Sequence, residues 1–374
     1  MSTLVLDDSR YARQTLITWW DQEKLRDSRV LVVGAGALGN EIVKNLTLVG
    51  VGTIEIVDMD NIEHSNLARC VFFDESSEGS DKATVLAAQA HRLNPDVVTV
   101  AHVMPVQQLG AAYLRHFDLV IGALDNREAR LWVNQACRKL GKWWIDGAIE
   151  GLRGLARVFA PTGPCYECTL TESDYVQMSH RRSCSLLAPE EILSGKTPTN
   201  ATTSSVIAGV QSQEAIKILV GNLDLVSLSG KCWVFTGDTM DTYVTKYRED
   251  DECLSHDFYE SVAEANGAHS LSDLASFVDQ MGGIDAWDFE EDLIELRPCP
   301  TCGGDTLLKV RSSMTLGEGL CATCGEARVG SISTQLAATS EHIDTAFRDL
   351  GLGLEDFVTL RFGSKRLHLM VRGE

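Results

Sequence analysis

The chain has 374 residues, 44% of them hydrophobic, which is enough for one large core and a smaller second one. Its formal net charge of −20 would repel a phosphate backbone, so nucleic acid is not an expected partner. No run of about 18 apolar residues is present and no basic-then-apolar N-terminal signal, so no membrane span is expected and the cytoplasm is the expected compartment. Eleven cysteines in that setting point to metal and thiolate chemistry and away from disulfides.

In chain order, the residues up to Arg29 read as a helix with Leu16, Ile17, Trp20 and Leu25 as its apolar positions. Val30-Leu-Val-Val-Gly34-Ala-Gly36-Ala-Leu-Gly39 then reads as a buried strand turning on G-x-G-x-x-G into a helix. Leu38, Ile42, Val43, Leu46 and Val49 give that helix one apolar face. Gly34 permits the tight turn, Gly36 lets a phosphate approach the backbone, and Gly39 lets helix and strand pack closely. An anion would lie at the positive helix N-terminus. A second strand, Thr53 to Val57, ends in Asp58, nineteen positions after Gly39, where an acid usually meets a ribose hydroxyl. Strand, glycine turn, helix, strand and acid in this order predict a nucleotide site.

A glycine- and acid-rich loop, Asp74 to Asp81, leads to a helix from Lys82 to Leu93. Strands are expected at Asp96 to Val103 and Asp118 to Gly122, then a helix from Arg127 to Leu140 and a strand from Lys142 to Ala148. This alternation predicts an α/β fold, a Rossmann-like parallel sheet with helices on both faces. Gly34, Asp58 and Asp125 all fall at C-terminal strand ends, where ligands of such sheets sit.

The stretch Asp58-Met-Asp60-Asn-Ile-Glu-His-Ser-Asn66-Leu-Ala-Arg69 resembles the signature of the ubiquitin-activating enzyme family. That family includes the adenylyltransferases that activate sulfur carriers for molybdopterin and thiamine synthesis. The resemblance continues in Arg10-Tyr-Ala-Arg13-Gln14, in Lys82 and in Ala123-Leu-Asp125-Asn126-Arg127, and covers about residues 9–256. It implies ATP in place of NAD, and adenylation of the C-terminal glycine of a ubiquitin-like β-grasp protein. It also implies a homodimer, because the family's arginine matching Arg13 reaches the ATP of the neighbouring subunit. Cys70 stands where the family commonly has Gln, a departure read as tolerated.

The chemistry suits these residue types. Attack of a carboxylate on an α-phosphate gathers negative charge, which Arg69, Lys82 and a partner's Arg13 would stabilise. Mg²⁺ needs a hard oxygen ligand, and Asp125 is suitable. Asn66 would orient phosphate oxygens. Gly34, Gly36, Gly39, Asp58, Asp60 and Asn126 complete the expected nucleotide site.

Cys165-Tyr-Glu-Cys168 is half of a zinc site, and Cys253-Leu-Ser-His256 is the expected other half, three thiolates and an imidazole. The rival reading, a redox pair, would normally sit at a helix N-terminus, and nothing marks one here. Cys299-Pro-Thr-Cys302 and Cys321-Ala-Thr-Cys324 read as the two knuckles of a structural zinc ribbon. Cys137 and Cys232 are expected in the core. Cys184 lies in a polar stretch with His180, Arg181 and Arg182, cations that favour a thiolate. A C-x-x-C-Thr-Leu followed at similar spacing by the thioester cysteine resembles the Nedd-activating enzymes and implies that Cys184 is the nucleophile. The alternative is an unreactive cysteine in an enzyme that stops at the adenylate.

Lys196 to Ser205 is expected to form a crossover loop above the nucleotide, feeding a helix from Val206 to Val220. A strand pair, Lys231 to Thr236 and Asp241 to Tyr247, completes an adenylation domain over 1–256. Residues 257–374, with helices at Leu271 to Met281 and Ser340 to Leu350 and strands at Asp356 to Arg361 and Leu367 to Val371, suggest a small α+β domain carrying the zinc ribbon. By position it would recruit the modifier or a conjugating enzyme. From Glu249 to Glu295 there are fifteen acids and no Lys or Arg, which suits either a basic protein partner or a solvated face.

The function expected is ATP-dependent activation of a ubiquitin-like protein, with a thioester on Cys184 and transfer to a conjugating enzyme. No large inserted cysteine domain is present, so a compact, bacterial form is expected. Three alternatives stand beside it. One is a sulfur-carrier adenylyltransferase without a thioester, disfavoured because no rhodanese-like domain follows. Another is a non-catalytic scaffold, disfavoured by the intact Arg69, Lys82 and Asp125 set. The last is an NAD-dependent enzyme.

Overall fold

The structure, a computed structural model, describes residues 9–176, 178, 198–259, 261–276, 283–315 and 317–373. They divide into two units. The first takes 9–104, 115–175 and 198–257, and the second is built mainly from 105–114 and 258–374. Among the described residues no helix is long and apolar enough to cross a membrane.

The sheet of the first unit starts from β1 (Arg29–Val33), β2 (Thr53–Val57), β3 (Val98–His102), β4 (Leu119–Gly122) and β5 (Trp143–Glu150). These run parallel in the order β3-β2-β1-β4-β5, so the sheet reverses its winding between β1 and β4. Ligands of such sheets sit outside the strand C-termini at that reversal. Antiparallel β6 (Arg153–Phe159), β7 (Lys231–Thr236) and β8 (Asp241–Lys246) extend it. Helices α2 (Ala37–Val49), α3 (Lys82–Leu93) and α5 (Ala201–Leu219) join one core with Val30, Val32, Ile54, Ile56, Ile121 and Ile145 of the strands. Alternation turns Trp144 to the other face, where it stacks on Phe159 and meets the Tyr166 ring edge-on. The Tyr166 N–H donates to Asn134 of α4 (Arg127–Lys139), so α4 covers that second face. The predicted Rossmann-like sheet with helices on both faces is borne out.

Three expectations need correction. The stretch before β1 is not one helix: Gln14–Leu16 makes a single 3₁₀ turn, α1 spans only Gln22–Asp27, and Leu16 and Ile17 are exposed. Polar anchors hold this arm in place of an apolar stripe. The Tyr11 hydroxyl donates to Asp96 and accepts from Asn94, and Arg10 donates to the Leu93 carbonyl. Second, residues 201–205, expected in a loop, form the first turn of α5. Asn200 caps it by accepting the Thr203 N–H, and the Ser204 and Ser205 hydroxyls donate to carbonyls four residues back. Third, the helix expected from Ser340 shrinks to α7 (Phe347–Leu350). Strand β6 was not anticipated, because its Arg157 looks like a surface residue yet is buried on Asp146.

Among the described residues the second unit holds six strands. Its central β10 (Ala286–Leu296) pairs along one edge with β12 (Gly330–Ala337). On the other edge it pairs first with β13 (Glu355–Phe362) and then with β11 (Leu307–Val310). β14 (Lys365–Arg372) and β9 (Val262–Glu264) follow β13. Leu271 and Leu274 of α6 (Leu271–Ser276) pack with Trp287, Phe289, Val358 and Leu369 in its core. Much of the acidity in β10 is matched internally. Asp288 pairs with Arg361 at 2.6 Å and Asp292 with Arg311 at 3.5 Å, and Glu291 accepts the Ser312 hydroxyl at 2.8 Å. Burial pushes the Glu291 carboxyl up to about 7. Residues 105–114, which lie in sequence between β3 and β4, belong to this unit, where the Ala111 N–H donates to buried Asp356.

Candidate functional site

The glycine turn closes between the ends of β1 and β4. Gly34 leaves β1 at φ +102°, and a Cβ on it would lie 2.5 Å from the Ala123 carbonyl oxygen. Gly39 sits so close behind it that a Cβ would fall 2.0 Å from the Gly34 oxygen. Gly36 differs: a Cβ there would meet nothing within 4 Å. It caps the thirteen-residue α2, whose first N–H groups have no partner within the helix, so open space lies before an anion-favouring helix end. The two glycines therefore answer to different demands. Gly39→Ala is expected to destabilise the fold by about 1–3 kcal/mol through backbone overpacking, read as a lower Tm. Gly36→Ala would put a methyl into that opening, so it is expected to leave Tm unchanged and to weaken nucleotide binding by about tenfold, about the worth of one hydrogen bond that the methyl holds off.

Around this opening, Asp58 accepts the Ala35 N–H at 2.7 Å with one carboxylate oxygen and the Asp60 N–H at 2.8 Å with the other. Burial raises the Asp58 pKa above the ordinary carboxyl value while those two bonds pull it back. Each oxygen keeps acceptor capacity for a further donor. Lys82 opens α3, nearly buried, with its ammonium 2.8 Å from Asp60. The side-chain oxygen of buried Asn66 accepts the Glu63 N–H, which leaves its NH₂ as a donor. Arg69 and Lys82 both favour the thiolate of Cys70, although burial dominates and pushes that thiol up to about 11. Both cations therefore lie in the neighbourhood of Cys70. Among the described residues Arg69 has no carboxylate partner, nor does exposed Asp125, just beyond β4, have a cationic one. Asn126 caps α4 by accepting the Ala129 N–H at 2.8 Å, a structural task.

Arg13 is not brought to this opening within the chain. Its neighbours Tyr11 and Gln14 hold the far end of α2, Tyr11 against Gly50 and Gln14 on the Leu48 carbonyl. A helix of thirteen residues is about 20 Å long. Cys184 and Lys196 lie outside the described residues. Cys137 and Cys232 are buried, as expected.

Four positioning residues were not singled out from the sequence. Arg130 donates to Asp146 at 3.0 Å and to the Leu124 and Gly147 carbonyls, so it holds the turn that presents Asp125. Arg157 shares the fully buried Asp146, and Gln211 of α5 donates to the Gly122 carbonyl at 2.9 Å. The available signal was Asp146 itself, an acid ending the apolar run Trp143-Trp-Ile, which requires buried cations.

Two clusters have metal-ligand geometry. In the first, Cys165 Sγ stands 3.7 Å from Cys168 Sγ and 3.6 Å from Cys253 Sγ, and Cys168 Sγ 3.3 Å from His256 Nε2. Tetrahedral bonds of about 2.3 Å set sulfurs about 3.8 Å apart, so zinc fits. Burial holds the His256 pKa below its ordinary value, which favours the neutral ligand form. Asn134 braces the cluster by donating to Cys165 Sγ and to the Ser255 hydroxyl. In the second, the ligand atoms of Cys299, Cys302, Cys321 and Cys324 lie within 4.8 Å of one another. Gly303 and Gly325, at φ +72° and +73°, close its two knuckles. Four converging ligands at each place leave the redox-pair reading without support.

A sheet reversing at a glycine turn, with cations and a carboxylate at its strand ends, defines a nucleotide-binding α/β fold of Rossmann type. The chain belongs to the ThiF family, whose model matches residues 10–255, within the ubiquitin-activating superfamily. It is 32% identical over 289 residues to the SAMP-activating enzyme E1 of Haloferax volcanii, covering 73% of this chain and 96% of that one. It is 34% identical to the sulfur carrier protein adenylyltransferase of Thermus thermophilus, covering 57% of this chain and 78% of that protein. Identity reaches 38% with the NEDD8-activating enzyme E1 catalytic subunit of Schizosaccharomyces pombe, over 38% of this chain. There the match spans only 34% of the relative's length. Escherichia coli MccB with ATP shares the fold, with a TM-score of 0.57 at 20% identity, over 68% of this chain and 75% of that one.

Proposed function

We propose that this chain is an ATP-dependent adenylyltransferase that activates the C-terminal glycine of a ubiquitin-like β-grasp protein and then carries it as a thioester on Cys184. The observation that carries the adenylation step is the opening before Gly36 at the end of β1, with the Asp58, Asp60 and Lys82 contacts beside it and Asp125 following the adjoining β4. ATP would lay its phosphates at the α2 N-terminus and its ribose on Asp58. The carboxylate of the incoming tail forms a bond to the α-phosphorus as the bond to pyrophosphate breaks. Arg69 and Lys82 stabilise the charge on the phosphoryl oxygens and on the leaving group. The Asn66 NH₂ orients those oxygens. Mg²⁺, which Asp125 would hold, supplies further charge neutralisation.

The second step moves the acyl carbon from AMP to sulfur: the Cys184 thiolate attacks, the acyl–phosphate bond breaks and AMP leaves with the electron pair. A conjugating enzyme would then take the acyl group. The NEDD8-activating likeness and the basic neighbours Arg181 and Arg182 support this step. The position of Arg13 at the far end of α2 supports a homodimer, in which a partner copy supplies that cation. Zinc at both clusters would be structural, since four protein ligands leave no open position.

Sulfur-carrier activation without a thioester is the second reading, favoured by the Thermus thermophilus likeness. ATP–pyrophosphate exchange with glycine-ending β-grasp proteins, followed by a non-reducing gel, separates the two. Exchange with a reducible adduct that disappears in Cys184→Ala is the expected result. Exchange with no adduct moves the assignment to sulfur-carrier activation.

A further inference from the structure

One buried amide joins two segments on which the expected nucleotide residues lie. Asn40 stands in the first turn of α2 and is fully buried. Its NH₂ donates to the Ala35 carbonyl at 2.9 Å and to the Gly36 carbonyl at 3.2 Å, both in the glycine turn. Its side-chain oxygen accepts the N–H of Phe72 at 3.1 Å, 32 residues along the chain. Phe72 follows a tightly bonded stretch. The Asn66 carbonyl accepts the N–H groups of Arg69 and Cys70, each at 3.0 Å, and the Cys70 carbonyl accepts that of Phe73 at 3.2 Å. Asn66 and Arg69 thus share one short run of backbone whose far end is pinned to α2 by Asn40.

The helix itself does not ask for this residue. The Asn40 backbone N–H already donates to the Gly36 carbonyl at 2.9 Å, and asparagine is a poorer helix former than alanine. Its orientation is fixed by its partners, since a flipped amide would set its oxygen against two carbonyls and its NH₂ against an N–H. The bonds to the turn also have direction. In a trans peptide the C=O and the following N–H point opposite ways. Holding the Ala35 and Gly36 carbonyls at Asn40 turns the N–H groups of Gly36 and Ala37 away from it, toward the helix end that favours an anion.

We infer that Asn40 is a positioning residue that sets the glycine-turn N–H groups and the Asn66–Arg69 stretch against one another, so that donors from both segments meet the phosphates of one nucleotide. Asn40 touches no phosphate and acts through the two backbones it holds. The inference rests on the proposal that ATP binds at the glycine turn and is used for adenylation.

The test is a double-mutant cycle on the full chain with Asn40→Ser and Arg69→Ala. A serine hydroxyl at position 40 can still donate to the carbonyl four residues back, but it is too short to reach Phe72. Two quantities are followed: ATP affinity, and the rate of ATP–pyrophosphate exchange at saturating ATP with a glycine-ending β-grasp protein. Asn40→Ser alone is expected to weaken ATP binding by about fivefold. It should also slow exchange by about tenfold, the order for a slightly displaced catalytic cation. In the Arg69→Ala background the same substitution should change neither quantity by more than about twofold, because no arginine is left to misplace. Equal losses in both backgrounds would overturn the inference, since they would mean general support of the turn. So would parent-like behaviour of Asn40→Ser, or failure of both Asn40→Ser and Asn40→Ala to fold, which would make Asn40 a residue of the core alone. If the parent binds ATP but exchanges with no β-grasp protein, the adenylation reading fails on its own, and the cycle in ATP affinity still decides the role of Asn40.

Discussion

Arg69→Ala is expected to lower ATP–pyrophosphate exchange by about 10²–10³-fold, the range seen when one preorganised donor to developing charge is removed. The reasoning starts from its surroundings. Arg69 is held next to Cys70 by the short turn after His64–Asn66, its own N–H donating to the Asn66 carbonyl at 3.0 Å. Among the described residues no carboxylate neutralises its side chain, so its full charge is available to a phosphate. The same fact predicts that the substitution leaves Tm close to the parent value, because no ion pair is broken. Lys82→Ala would fall short as a control, since it also strips Asp60 of its partner at 2.8 Å. Exchange in Arg69→Ala within about threefold of the parent would instead remove Arg69 from the catalytic set, as the loss predicted for a catalytic cation would be missing.

Removing metal from the first cluster is the second large effect. Structural zinc contributes about 10–16 kcal/mol of apparent binding free energy in small domains, so Cys165→Ser is expected to cost several kcal/mol and to abolish exchange. The cluster joins three separate parts of the first unit: the loop after β6, the turn Leu254–His256, and Asn134 of α4. Helix α4 starts at the Asn126 cap beside Asp125, so loosening it disturbs the nucleotide turn. Cys299→Ser should remove metal from the ribbon while exchange continues, because those ligands belong to the second unit. Metal analysis should find about two zinc ions per chain in the parent and about one in either variant.

The reading of the glycine turn succeeded because its constraints are local. Gly34, Gly36 and Gly39 are demanded by a turn of six residues, and the apolar face of α2 repeats at helical spacing. The cysteine pairs were legible for the same reason, with fixed spacing within each half-site. Where partners come from distant segments, local pattern misled. The polar, β-branched run 201–205 looks like loop until Asn200 is seen capping it. The acidic strand β10 was unread because its charges are matched by Arg311 and Arg361, far along the chain. Arg157 and Arg130 gave no sign of burial, since the carboxylate that accepts them, Asp146, lies on a separate element, β5.

By itself, then, the sequence determined the class of fold, the glycine turn, the two clusters with metal-ligand spacing and the family, all properties carried by short stretches whose residue types and spacing are constrained by backbone geometry or ligand chemistry. Only the tertiary structure decided which cations stand together, which of them lack a carboxylate, and that Arg13 lies at the far end of α2 from the opening. It also decided that 105–114 folds with the second unit. These are relations between segments far apart in the chain. Charge pairing and burial depend on distance through space, and no local spacing encodes it.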